Sequence, residues 1–320
     1  MRILLSAEAG HRLAPVLEQA APGRNLQIVL PGDGDADLAF VSRDVTGLST
    51  KHRVTAETQR FYDALRAAPS LQWLHVHSAG ADRPIYRELL ARGVALTTSA
   101  GANADVVAQT ALAGLLALAR RFPQLQAAQR ARQWTPLIQT GLPRDLRGQT
   151  AVIVGWGGIG QQLGAVLQLL GLQVVAVRRE AAAPRAGLQT VSYDGLDTVL
   201  PRADWLILAC PLTERTQQLV DARALALLPA GAHLVNVSRG EVVDEAALIA
   251  ALRSGHLAGA YLDVFAHEPL PADSPLWDMD QVIATPHSAG FSDANARRVD
   301  EAFVDNFRRW LDRQPLLHRI

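Results

Sequence analysis

The run AVIVGWGGIG, residues 151–160, constrains the fold more than any other ten residues of this chain. Ala151 to Val154 are consecutive apolar residues, long enough for a short strand. Beyond the glycines, Leu163, Val166, Leu167 and Leu170 recur at the spacing of one helix face. A second strand-like run, Gln173 to Val177, follows, so the segment predicts a βαβ unit of about thirty residues. Parallel strands joined by such crossovers are covered on both faces, which predicts an α/β, doubly wound parallel sheet. Gly155, Gly157 and Gly160 carry the G-x-G-x-x-G spacing at the strand-to-helix junction. The first glycine permits the tight turn, the second lets backbone approach a pyrophosphate, and the third lets helix pack close on strand. With Trp156, Gly158 and Ile159 they form a dinucleotide cradle, whose phosphates meet the free amides of the helix N-terminus.

The end of the second strand sorts the two nicotinamide dinucleotides. An acid there bonds the adenosine ribose of NAD, whereas an arginine accommodates the 2′-phosphate of NADP. Here the strand runs into Arg178 and Arg179, with Glu180 after them. The arginines favour NADP(H); NAD(H), with Glu180 on the ribose, is the other reading.

At 320 residues the chain exceeds the size at which one core usually stops growing, so two domains are expected. Strand-like runs at Ile3–Leu5, Leu26–Leu30, Leu38–Val41, Leu71–Val76 and Val94–Thr97 give the first hundred residues the rhythm of a smaller parallel sheet. An apolar helix is expected from about residue 103 to 120, then an arm broken by Pro136, Gly141 and Pro143. The chain ends in an amphipathic helix with Val299, Phe303, Phe307 and Trp310 in line. The expected layout is a discontinuous, flavodoxin-like substrate domain at 1–100 and 289–320, with a Rossmann dinucleotide-binding domain at 101–288.

Lys plus Arg and Asp plus Glu are 31 each, without a basic tract, which argues against nucleic acid and anionic membrane as partners. The apolar-rich segment Val106–Ala119 is too short for a membrane span, and Ile3–Leu5 too short for a signal peptide core. A single cysteine, Cys210, excludes an internal disulfide framework and fits a reducing, cytoplasmic compartment.

Downstream of the glycine turn, three apolar runs are each followed by a catalytic-type side chain. Leu234–Val237 precedes Arg239, Gly259–Phe265 precedes Glu268, and Val282–Thr285 precedes His287. If the runs are parallel strands of one sheet, their C-terminal ends open at the edge where such sheets bind ligands. A forked guanidinium grips a carboxylate at two points. An imidazole beside a carboxylate is favoured in its protonated form and can protonate an alkoxide as hydride arrives.

The segments DLRGQTAVIVGWGGIG, ACPLTERTQQLV, LVNVSRGEVVDEAAL, GAYLDVFAHEPLP and TPHSAG, in this order, resemble the D-2-hydroxyacid dehydrogenase family, of the glyoxylate/hydroxypyruvate reductase type. The resemblance implies a nicotinamide-dependent enzyme, usually dimeric, that interconverts 2-oxo acids and D-2-hydroxy acids such as those of glyoxylate or hydroxypyruvate. It makes Arg239 the group that binds and polarises the substrate, His287 the proton donor and Glu268 its partner. Cys210, Pro211, Thr216, Val237, Ser238, Asp263 and Ser288 fall along the cofactor, and the amides of Ala79, Gly80 and Ala81 in SAGAD cradle the substrate carboxylate. Formate-oxidising relatives resemble glutamine at the carboxylate position, so Glu268 argues against formate. A nucleotide-sensing binding protein, like corepressors that resemble this family, is the alternative from another class.

The remaining histidines carry less. His75 and His77 form an H-x-H pair without a third ligand, so packing is expected there and no metal is assigned. His267, beside Glu268, is expected at the surface.

Overall fold

The computed structural model describes residues 1–180 and 188–320. The chain forms two compact units, Met1–Asn103 with Ser292–Ile320, and Ala104–Phe291.

The first unit is built on five parallel strands: β1 (Arg2–Leu4), β2 (Gln27–Val29), β3 (Leu38–Val41), β4 (Trp73–Val76) and β5 (Ala95–Thr98). Their order, β2-β1-β3-β4-β5, is the flavodoxin-like one. β3 and β4 are buried along their whole length, as expected of central strands covered on both faces. On one face the helix Asn295–Leu311 lays Phe303 against Phe40 at 4.5 Å and Trp73 at 5.6 Å between ring centroids, with Trp310 5.7 Å from Trp73. On the other face Leu74, Val76, Phe61, Leu65 and Tyr86 close a second core.

His75 belongs to the aromatic face. Its Nδ1 lies 2.7 Å from Thr97 Oγ1 and its Nε2 3.0 Å from Ser99 Oγ, and burial holds its pKa down to about 3. His77 Nε2 pairs with Thr46 Oγ1 at 2.9 Å. Both rings are engaged by hydroxyls, the packing role expected of them.

The second unit holds seven parallel strands: β6 (Thr150–Val154), β7 (Gln173–Arg178), β8 (Gln189–Ser192), β9 (Trp205–Leu208), β10 (Ala232–Asn236), β11 (Leu257–Leu262) and β12 (Val282–Ala284). The order β12-β11-β10-β9-β6-β7-β8 reverses direction at β6, which pairs with β7 on one side and β9 on the other. That is the switch point where open α/β sheets receive ligands. β8 is absent from the sequence reading: QTVS is short and polar, and as an edge strand it is only partly buried, so no apolar run announces it.

The three strands expected to carry the site end earlier than their apolar runs. β10 stops at Asn236, β11 at Leu262 and β12 at Ala284, so Val237, Asp263 to Phe265 and Thr285 lie beyond the strands. Val237, Val264 and Phe265 are nevertheless buried, and this is why hydropathy alone extended the runs.

The apolar helix forms at Ala104–Ala119, with Gly114 against Tyr261 of β11. A Cβ on Gly114 would stand 2.3 Å from the tyrosine ring, so only glycine lets the helix lie this close. Among the described residues no helix is long and apolar enough to cross a membrane.

Candidate active site

The glycine turn leaves β6 at the switch point and opens the helix Gly158–Leu169. Gly155 has φ +102°, donates its amide to Val177 O at 2.8 Å, and a Cβ there would stand 2.5 Å from the Ala209–Cys210 peptide. At Gly160 a Cβ would come within 2.1 Å of Gly155 O, so both positions require glycine for packing. Gly157 differs: a Cβ there would meet nothing within 4 Å. Gly157 is also the N-cap, and no side chain caps the helix. Open space over uncapped amides is a cradle that a pyrophosphate fits. Trp156 packs back on the helix, where its ring occupies the space a Cβ on Gly164 would need.

Arg239 follows β10 in a loop knit by its neighbours. Asn236 Oδ1 accepts from Ser238 N at 3.0 Å and Ser238 Oγ at 2.7 Å, Asn236 Nδ2 donates to Arg239 O at 3.1 Å, and the Arg239 guanidinium donates to Ser238 O at 2.7 Å. Gly240 then passes so near the next strand's loop that a Cβ would stand 1.8 Å from Phe265 C and 2.2 Å from Ala266 N. This close approach ties the arginine loop to the segment that carries Glu268.

Asp263, the first residue after β11, is buried and takes four hydrogen bonds from the loop after β12. Its Oδ1 accepts from Thr285 Oγ1 at 2.7 Å, Ser288 N at 2.8 Å and Ala289 N at 3.1 Å, and its Oδ2 from Ala289 N at 3.0 Å. Burial raises its pKa and these donors oppose the rise. The His287 amide donates to Asp263 O at 2.8 Å and to Thr285 O at 2.9 Å, and His287 has φ +50°, a left-handed turn that the clamp holds.

His287 Nδ1 lies 2.8 Å from Glu268 Oε2, while Glu268 Oε1 accepts from Phe265 N at 3.1 Å. The carboxylate is 13% exposed and the imidazole 47%, so the acid is sheltered and the histidine faces outward. Phe265 N fixes the carboxylate and the carboxylate fixes the ring.

The loop after β9 is braced from within. Thr216, fully buried, accepts from Thr213 N at 2.8 Å and donates to Pro211 O at 2.7 Å. Cys210 beside it is buried, and burial pushes its thiol up to about 12, so it is a packing residue. Arg178 and Arg179 lie exposed where β7 ends. Ala79, Gly80 and Ala81 belong to the first unit, in the bend after β4, where Ser78 Oγ donates to Gly80 O at 2.6 Å. His267 is exposed.

The structure thus joins His287 directly to Glu268 and the Arg239 loop to the Glu268 loop, all at the sheet edge that carries the glycine turn. Sequence reasoning missed Asn236, Thr285 and Tyr261, whose hydroxyl lies 2.9 Å from Thr285 Oγ1. Asn236, inside one apolar run, and Thr285, at the end of another, were visible there as polar residues. A cavity of about 360 Å³ opens at the opposite, N-terminal edge of the same sheet, between Arg121, Arg144, Asp204 and His233, and contains none of these groups.

Comparison with known proteins agrees with this geometry. The profile described as D-isomer specific 2-hydroxyacid dehydrogenase, NAD binding domain, matches residues 112–289. The chain is 40% identical over 219 residues to (S)-sulfolactate dehydrogenase of Chromohalobacter salexigens, covering 68% of this chain and 70% of that protein. It is 34% identical over 251 residues to glyoxylate reductase of Korarchaeum cryptofilum, covering 76% and 74%. A D-isomer specific 2-hydroxyacid dehydrogenase from Xanthobacter autotrophicus Py2, solved in complex with NADPH and MES, superposes with a TM-score of 0.77 at 32% identity, covering 100% of this chain and 97% of that one. The chain therefore belongs to the D-isomer specific 2-hydroxyacid dehydrogenase family and is an NAD(P)-dependent oxidoreductase of that family.

Proposed function

We propose that this chain reduces small 2-oxo acids of the glyoxylate and hydroxypyruvate type to D-2-hydroxy acids, with NADPH preferred over NADH. The observation that carries the reading is the 2.8 Å His287–Glu268 pair, tied through the Gly240–Phe265 contact to the Arg239 loop. The unit Ala104–Phe291 is the dinucleotide-binding domain and the discontinuous unit Met1–Asn103 with Ser292–Ile320 the substrate domain.

The cofactor supplies the hydride to the carbonyl carbon. Arg239 grips the substrate carboxylate and polarises the carbonyl, with each charge-assisted bond contributing about 1.5–3 kcal/mol. His287 is fixed through Nδ1, so Nε2 is the nitrogen that hands a proton to the oxygen as negative charge develops. Glu268 favours the imidazolium and sets its orientation. Asp263 positions the loop of His287 and Ser288, and Cys210, Pro211, Thr216, Val237 and Ser238 line the cofactor groove. The amides of Ala79, Gly80 and Ala81 are assigned to the substrate carboxylate, and Arg178 and Arg179 to the adenosine 2′-phosphate. The NADPH-bound Xanthobacter relative supports that last assignment, and the glyoxylate reductase relative supports the substrate class.

The working form is a homodimer in the cytoplasm. Phe122, Trp134, Ile138 and Leu142, exposed by 51%, 95%, 77% and 72%, form an apolar arm that a second copy would cover. Steady-state reduction of a 2-oxo acid panel with NADPH and NADH tests the reading. Turnover with small 2-oxo acids at higher kcat/KM for NADPH is expected, and no cofactor oxidation with any acid of the panel would overturn it.

A further inference from the structure

Beyond the arginine pair, the sheet corner where β7 and β8 end carries a third guanidinium on a built support. The two strands pair in parallel with Arg178 opposite Ser192, so Tyr193, the next residue, emerges beside Arg179 at the C-terminal edge. Arg215 lies over the Tyr193 ring, its Cζ 5.8 Å from the centroid, and its NH2 donates to Asp194 at 2.6 Å. The loop that brings Arg215 there runs from Cys210 past β9 and is the one braced by Thr216. The tyrosine hydroxyl senses the same neighbourhood: burial and Cys210 raise its pKa, while Arg179 and Arg215 lower it.

An exposed ion pair alone contributes little to stability. Here an aromatic face, a carboxylate and a braced loop all hold one long side chain in place at the sheet corner where β7 runs into Arg178 and Arg179, an arrangement suited to receiving charge. Asp194 takes one end of the fork, and a guanidinium carries five N–H donors, enough to serve an incoming anion as well. A phosphate monoester, with a charge of about −1.5 to −2 at neutral pH, is the ligand that three arginines at one corner match.

We infer that Arg215, held on the ring of Tyr193, is a third cation of the subsite for the adenosine 2′-phosphate of NADP(H), and that Tyr193 is the positioning residue that keeps it there. This rests on the NADPH reading above. Titrating the purified full chain with NADP+ and NAD+ by calorimetry tests it without relying on turnover. Arg215→Ala and the polar, uncharged Arg215→Gln are each expected to weaken NADP+ about tenfold, the share of one charge-assisted bond, and NAD+ less than about twofold. Tyr193→Ala is expected to lower the NADP+ preference while Tyr193→Phe, which keeps the ring, retains it. An unchanged ratio of the two Kd values in both Arg215 variants overturns the inference while leaving the NADPH reading intact. Equal loss of both cofactors in Tyr193→Ala removes tyrosine from the positioning role. Tighter NAD+ than NADP+ binding by the unaltered chain overturns the NADPH reading and this inference with it.

Discussion

Asp263→Asn is the sharpest probe of how the fold holds His287, the proposed proton donor. The wild-type carboxylate accepts from Thr285 Oγ1, Ser288 N and Ala289 N, and is only 3% exposed. An asparagine supplies one acceptor oxygen, which can keep Thr285, Ser288 and the 3.1 Å bond from Ala289, while its NH2 stands where Oδ2 accepted from Ala289 and is left there donor against donor. Two effects oppose each other. Neutralising a buried acid relieves the desolvation that raises its pKa, while the lost charge-assisted bond and the unsatisfied side-chain NH2 together cost about 2–4 kcal/mol. A net loss of about 1–2 kcal/mol is expected, lowering Tm by roughly 2–8 °C. The larger consequence falls on the left-handed His287 turn, anchored by the same clamp; a shift of about 1 Å at a reacting group costs on the order of a hundredfold in rate. Thermal unfolding and steady-state 2-oxo acid reduction on the same preparation read both effects. Wild-type kcat together with an unchanged Tm would refute the clamp.

Other perturbations test neighbouring parts. Gly240→Ala forces the Phe265–Ala266 backbone away from a Cβ otherwise 1.8 Å distant, so both stability, by roughly 1–3 kcal/mol, and kcat should fall; a fully active variant of unchanged Tm contradicts the tie between the two loops. Arg239→Lys is expected to raise KM for the oxo acid and lower kcat, and an unchanged KM argues against anchoring by the guanidinium. His75, neutral in the fold down to about pH 3 but protonated below about 6.5 when unfolded, contributes stability that is present above pH 6.5 and lost as pH falls toward 3. Denaturant titrations should show unfolding free energy dropping by about 1.4 kcal/mol per pH unit more steeply than in His75→Asn between about pH 6 and 4; equal slopes would mean that the buried imidazole is already charged.

Much of this architecture was legible because one rule governed it. A fully buried parallel strand such as β6, TAVIV, or β9, WLIL, leaves an apolar run in the sequence, and the glycine turn fixes where the sheet reverses. Arg239, Glu268 and His287 were singled out because each stands just beyond such a run. The supporting groups were harder to read. Asp263 matches a recurring motif, yet its capture of the Ser288 and Ala289 amides is a long-range contact that nothing in its local sequence reveals. The closeness of Gly240 to Phe265 is equally a product of two loops meeting. β8 escaped because an edge strand with one partner needs no apolar run, and Arg215 because its tyrosine partner lies on a different loop.

The central claim is that His287, oriented by Glu268, protonates the substrate as hydride arrives. Its most direct test is single-turnover reduction of a 2-oxo acid by NADPH-loaded His287→Ala beside the unaltered chain, with NADPH affinity measured on both. The account predicts a loss of more than about a hundredfold in the reduction rate with NADPH binding unchanged. Reduction by the variant at a rate near that of the unaltered chain would contradict it.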